Sequence, residues 1–255
     1  MASFNNNIIV SVEGNIGSGK STLVDKLKSI YVNKDQINTI YNVENIIFLQ
    51  EPVDEWEDIK NEENKTMLEL FYQDQKKYAF SFQMMAYISR LSLLKKACEE
   101  NKNSIIVTER SLFTDRDVFA KMLFDEKKIS LENYTIYRKW FDTFTNMFNV
   151  SYIIYIDTSP NVCFERIEKR NRNGESSIEL NYLNQLHQYH TKMLETFENS
   201  NQIKVNTLSG NENVFANGIF TLWLQNIKEL FLLIGKQINS SQKSKKHGEF
   251  QSINN

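Results

Sequence analysis

Gly14-Asn15-Ile16-Gly17-Ser18-Gly19-Lys20-Ser21 fits the pattern G-x-x-x-x-G-K-[ST] in full. An apolar run, Asn7 to Val12, precedes it and predicts a strand; a helix-like segment follows from Ser21 to about Ile30. That is the setting in which glycines let backbone N–H groups turn inward around phosphates at a helix start. Lys20 supplies a point charge for the outer phosphates, and the Ser21 hydroxyl is placed to ligate Mg²⁺. Residues Gly14 to Thr22 are therefore the expected site for a nucleoside triphosphate.

Working outward from the loop, short apolar runs at Ile46 to Leu49, Ser104 to Thr108, Tyr152 to Ile156 and Gln202 to Val205 alternate with longer helix-period segments. Such alternation predicts an α/β fold, a parallel sheet of about five strands covered by helices, with ligands gathered at the strands' carboxyl ends. The two prolines, Pro52 and Pro160, directly follow predicted strands and mark turns there. One domain is expected over residues 1–236. Beyond Lys236 the chain turns polar and loses periodicity, which predicts a disordered tail over 237–255.

Composition narrows the partners. With a formal net charge of −2 there is no global field to hold a polyanion, so nucleic acid is not expected. The longest purely apolar stretch near the C-terminus, Leu230 to Ile234, is too short to span a bilayer, so no membrane is expected. Cys98 and Cys163 lie far apart in apolar stretches and read as buried thiols of a reducing compartment. The phosphate loop begins close to the first residue, leaving no room for a cleavable leader, and a cytoplasmic location is expected. Tyr134, Tyr137, Phe141, Phe144 and Phe148 recur at spacings of three and four. They form an aromatic helix face suited to a core or, alternatively, to a dimer interface.

Three further clusters carry chemistry. Glu51-Pro52-Val53-Asp54-Glu55-Trp56 ends the second predicted strand and Glu109-Arg110-Ser111 the third. Each puts a carboxylate near the phosphates, where it could take a hydroxyl proton, although a Glu after a strand is by itself more often a solvated end. Arg166 and Arg170 share a helical face one turn apart, with Arg172 and Glu175 beyond. Their guanidinium groups could converge on phosphates or merely favour the helix dipole. His187 and His190 sit one turn apart on a helix without a third ligand at metal spacing, so a surface or packing role is expected.

Together these residues resemble the deoxyribonucleoside kinases of the deoxycytidine kinase and deoxyguanosine kinase type. The resemblance runs from Ile8 to His187 and takes in Glu51-Pro52-Val53 with Trp56, Leu68-Glu69-Leu70-Phe71-Tyr72, Phe82-Gln83, Ser89-Arg90, Glu109-Arg110-Ser111, Asp115-Arg116 and the arginine-rich segment. It implies a P-loop kinase fold with an arginine-rich lid, acting with ATP and Mg²⁺ on a small deoxynucleoside in nucleotide salvage, as a homodimer. By the same resemblance Glu51 is the general base on the 5'-hydroxyl, Arg110 holds that oxygen, and Lys20 and Arg166 stabilise the transferring phosphoryl group. Ser21 and Glu109 surround Mg²⁺, and Arg170 and Arg172 close over the donor phosphates. Tyr72 and Glu175 hold the sugar 3'-hydroxyl, Trp56, Phe82 and Phe113 flank the base, and Gln83 bonds its Watson-Crick side.

Arg90 and Asp115 match a charged pair at the base, which implies deoxyadenosine, deoxyguanosine or deoxycytidine over thymidine; a structural salt bridge is the other reading. The chain departs from the pattern at Gly17-Ser18, at Asp117 and at Gly174. The alternatives are a nucleoside monophosphate kinase of thymidylate-kinase type, which shares the loop and lid, and a noncatalytic subunit that keeps the kinase fold.

Overall fold

The computed structural model describes residues 4–172, 175–200, 203–216 and 218–252, with the side chains of 4, 146, 176 and 242–252 excepted. Five parallel strands form one sheet in the order β2-β3-β1-β4-β5. They are β1 (Ile8–Glu13), β2 (Ile46–Leu49), β3 (Ile105–Glu109), β4 (Val150–Asp157) and β5 (Lys204–Ser209). β1 is central because both of its faces are apolar or small and buried. Ile9 packs into the core on one side of the sheet, and Val10 and Val12 into the core on the other. Its register, with Val10 opposite Val107 of β3 and Tyr152 of β4, aligns the carboxyl ends of the three middle strands.

Helix α1 (Lys20–Ile30) follows the phosphate loop and buries Leu23, Val24 and Leu27. α2 (Lys34–Tyr41) joins it on that face. α3 (Val53–Asp58) and α4 (Met67–Gln73) then build a small side cluster, in which Trp56 and Phe71 pack with Phe82 of α5 (Gln75–Glu100). α4 starts on a capping box: Thr66 Oγ1 accepts from Glu69 N at 3.3 Å, and Glu69 Oε2 accepts from Thr66 N at 2.7 Å. After β3, α6 (Leu112–Thr114) passes through a π-helical turn (Asp115–Ala120) into α7 (Lys121–Asp125). The wide turn is a frequent mark of a functional segment. α8 (Leu131–Phe144), α9 (Pro160–Arg170), α10 (Leu180–Ser200) and α11 (Ile219–Ser252) complete the layers.

Two expectations are corrected here. β5 lies at 204–209 rather than starting at Gln202, which is outside the described residues. At the sheet edge only Leu208 is buried, so the apolar-run criterion misplaced a largely polar strand. The second concerns the tail from 237 onward. α11 runs unbroken to Ser252, Ile238 is buried, and Asn239 Nδ2 donates to Asn42 O at 3.2 Å. Ile227, Phe231, Ile234 and Ile238 continue one stripe at spacings of three and four, and this carries the packed body past Lys236. Residues 253–255 of the expected tail lie outside the described residues.

The expected aromatic helix face is interrupted, because α8 ends at Phe144 and a short turn (Thr145–Met147) precedes Phe148. Tyr137, Phe141 and Phe148 are buried in the core, while Tyr134 and Phe144 are half-buried.

Candidate active site

The phosphate loop spans β1 and α1 in a conformation that only glycine adopts freely. Gly17 has φ +77°, and a β-carbon there would approach Cys163 O to 2.7 Å. Glycine at 17 is therefore a requirement of this loop. Asn15 turns away from the ligand side, its Nδ2 donating to Leu183 O of α10 at 2.9 Å. Lys20 is buried, and its Nζ donates to Asn15 O at 2.7 Å. Burial, with Arg110 nearby, lowers its pKa to about 8. Ser21 Oγ donates to Glu109 Oε1 at 2.7 Å, bringing a hydroxyl from the start of α1 to a carboxylate at the end of β3. A pair of hard oxygen donors beside a phosphate loop fits the preference of Mg²⁺.

A cavity of about 620 Å³ opens from this loop, lined by Ile16 to Leu23 on one side and by Trp56, Leu68, Tyr72, Phe82, Gln83 and Ala86 on another. Glu51, Arg90, Glu109, Arg110 and Asp115 line it as well, and these charged groups form a connected chain. Asp115 Oδ2 accepts from Arg90 Nε at 2.9 Å, and Glu51 Oε1 accepts from Arg90 Nη2 at 2.9 Å. Arg90 Nη1 donates to Glu109 O at 2.6 Å, and Arg110 Nε lies 3.4 Å from Glu51 Oε1. The salt-bridge reading of Arg90 and Asp115 therefore holds, and the pair also faces the cavity. Burial acts to raise the Glu51 carboxyl, but the cations Arg110, Arg90 and Lys20 outweigh it and leave the group below its ordinary range. At Asp115 burial prevails over Arg90 and lifts the carboxyl to about 6.

At the aromatic end Trp56 meets Phe82 edge-on at 5.6 Å, and Phe82 stacks on Phe71 at 4.6 Å. Trp56 Nε1 donates to Ser89 Oγ at 2.9 Å, which fixes the indole. Gln83 is buried, and its Oε1 has no hydrogen-bond partner among the described residues. Gln83 lines the cavity, but this oxygen is itself buried, so a ligand meets the residue through its amide nitrogen or after an amide flip that turns the oxygen outward.

Phe113 is not at this wall. Its ring packs against Phe141 at 5.8 Å and Phe197 at 5.5 Å, with the Arg116 guanidinium 5.1 Å above it. Phe119 lines the cavity instead. On the helical run a residue four after Asp115 shares its face, whereas one two before it does not, and that spacing could have found Phe119. Asp117 pairs with Arg116 at 2.7 Å.

The arginines do not converge on one point. Arg166 Nη1 donates to Ser18 O at 3.2 Å, and its Nη2 donates to Gly210 O at 2.8 Å and Glu212 O at 3.0 Å, tying the phosphate loop to the segment after β5. Arg170 Nη2 instead donates to Glu175 Oε2 at 2.5 Å, and Arg172 lies 3.8 Å from the same carboxylate. All four side chains line the cavity, but Gly174 lies outside the described residues. Phe215, Phe220 and Trp223, for which the sequence carries no assignment, are apolar residues that line the same cavity.

A profile of the deoxynucleoside kinase family matches residues 10–222. The chain is 34% identical over 205 residues to a fowlpox virus protein named "probable deoxycytidine kinase", covering 79% of this chain and 77% of that one. It is 30% identical over 220 residues to deoxycytidine kinase of Homo sapiens, covering 80% and 84%. It is 28% identical over 228 residues to mitochondrial deoxyguanosine kinase of Xenopus laevis, covering 80% and 82%.

Proposed function

This chain belongs to the deoxynucleoside kinase family, and we propose on that basis that it transfers the γ-phosphoryl group of ATP to the 5'-hydroxyl of a deoxynucleoside, in cytoplasmic nucleotide salvage. Deoxyadenosine, deoxyguanosine and deoxycytidine are the favoured acceptors over thymidine. The observation that carries this reading is Glu51, a carboxylate held ionised by Arg110 and Arg90 in the cavity that the phosphate loop opens into.

In the proposed step Glu51 accepts the 5'-hydroxyl proton while the oxygen bonds to the γ-phosphorus and the bond to the β-γ bridging oxygen breaks, releasing ADP. Arg110 holds the attacking oxygen, and Lys20 and Arg166 offset charge on the phosphoryl group. Ser21 and Glu109 would hold Mg²⁺, which supplies charge neutralisation at the phosphates when bound. Gln83, between Trp56, Phe82 and Phe119, would pair with the base edge, and Tyr72 with Glu175 would hold the 3'-hydroxyl. Arg170 and Arg172 must then exchange Glu175 for the donor phosphates, so lid closure and sugar binding draw on the same carboxylate. Phe215, Phe220 and Trp223 would receive the adenine of ATP.

A monophosphate acceptor fits less well. The cations nearest Glu51 are already engaged by it, by Asp115 and by backbone oxygens, and an ionised Glu51 repels a second phosphate. A noncatalytic role has no use for loop, base and lid arginines kept together.

The homodimer is proposed from a separate observation: Ile88 on α5, with Ile136 and Trp140 on α8, are exposed apolar residues on two helices that touch. Sedimentation as a single monomer-sized species would remove it.

The reading is tested with ATP, Mg²⁺ and the four deoxynucleosides in turn. Expected are 5'-monophosphates of deoxycytidine, deoxyadenosine or deoxyguanosine, with thymidine the poorest acceptor. Turnover of none of the four would overturn it.

A further inference from the structure

Arg110 has φ +63°, a left-handed conformation that a bulky residue keeps only where its surroundings hold it. Its N–H donates to Val12 O at 2.9 Å, and its Nη1 donates to Gly14 O at 2.9 Å. The Phe119 ring lies 4.9 Å from the guanidinium carbon. On another side stands His190 of α10, fully buried, with Nε2 3.5 Å from Arg110 Nη1.

The tautomer of His190 follows from its other contact. Nδ1 lies 2.8 Å from Leu186 O, and a carbonyl oxygen only accepts, so Nδ1 carries the proton. Nε2 of the neutral ring then presents a lone pair, while a guanidinium only donates. Burial, reinforced by the charge of Arg110, pushes the imidazole well below its ordinary range, which keeps the ring neutral. The rings of Tyr155 and Phe119 flank it at 6.4 and 6.5 Å.

We infer that His190 is a positioning residue for phosphoryl transfer: as a neutral imidazole it accepts from Arg110 Nη1 and aims the guanidinium at Glu51 and the acceptor oxygen. It does not line the cavity and acts only through Arg110. The inference rests on the role proposed for Arg110 above, and it gives His190 a task beyond packing.

Two measurements test it on the full chain. In ¹⁵N spectra of the histidine rings, His190 should show a protonated Nδ1, and its Nε2 resonance should move when Arg110→Met removes the donor. An Nε2 resonance unmoved by that change would overturn the inference, whatever the enzyme's activity.

In kinetics, His190→Asn keeps a donor for Leu186 O but has no acceptor at the Nε2 position, whereas His190→Gln restores one. The Asn variant should lower kcat about tenfold with the nucleoside KM within about twofold, as loss of a hydrogen bond to a charged group implies. The Gln variant should stay within about threefold of wild type, and in an Arg110→Met background His190→Asn should change kcat less than about twofold. Equal losses in the Asn and Gln variants, or a full loss persisting without Arg110, would overturn it. A wild-type protein inactive on every deoxynucleoside would instead sink the kinase reading, and the nitrogen shift would still decide the contact.

Discussion

Replacing Glu51 by Gln is expected to lower kcat by about 10²- to 10⁴-fold while leaving nucleoside binding largely intact. The amide keeps the side chain's volume, and its oxygen can still accept from Arg90 Nη2, now at 2.9 Å from Glu51 Oε1. It cannot take a proton near neutral pH. Because Arg110, Arg90 and Lys20 hold the carboxyl below its ordinary value of about 4.3, Glu51 stays ionised as pH falls from 8 to 5. The midpoint of any rate loss from its protonation should lie below that value, since a lowered carboxyl pKa keeps the charge to lower pH. Initial rates with deoxycytidine decide the matter, and a variant within about threefold of wild type would remove Glu51 as the base.

The second large effect concerns base choice. Cytosine offers an amino donor at C4, which an ionised Asp115 can accept, whereas thymine offers a carbonyl and a C5 methyl in that region. Arg90→Met with Asp115→Ala should raise kcat/KM for thymidine relative to deoxycytidine by about 10²-fold, the order of one to two hydrogen bonds exchanged. Arg90→Met alone strands the buried Asp115 carboxylate, whereas Asp115→Ala alone leaves Arg90 paired with Glu51, so the double change is the one that clears the charged pair from the base region. The structure adds that Arg90 also holds Glu51 and Glu109 O, so the double variant should lose absolute rate on every acceptor. The ratio between substrates is therefore the quantity to read. A ratio constant across wild type, both single variants and the double variant would make the pair purely structural.

The features that sequence alone made legible are local ones. The phosphate loop, the carboxylates at the ends of β2 and β3 and the arginines of α9 are each written within a few residues and folded as one unit. What escaped depends on longer relations. Phe119, in place of Phe113, is the exception, since it stands four residues after Asp115 on the same helical run. An edge strand need not be apolar, so no apolar run marks β5, and Ile238, the last buried residue of α11 among those whose side chains are described, stands among polar neighbours. The contact of His190 with Arg110 joins residues 80 apart in the chain, and no spacing rule reaches that far. Arg170 and Arg172 show a further limit: their type marks them as phosphate ligands, while the structure pairs both with Glu175.

The central claim is transfer of the γ-phosphoryl group to a neutral 5'-hydroxyl, and the most direct measurement follows that group. γ-labelled ATP with Mg²⁺ is supplied with deoxycytidine in one reaction and deoxycytidine monophosphate in another, and the labelled product is identified. The account predicts label in the 5'-monophosphate of the first reaction and none in a diphosphate in the second. Label carried only into the diphosphate, or released only as inorganic phosphate, would contradict it.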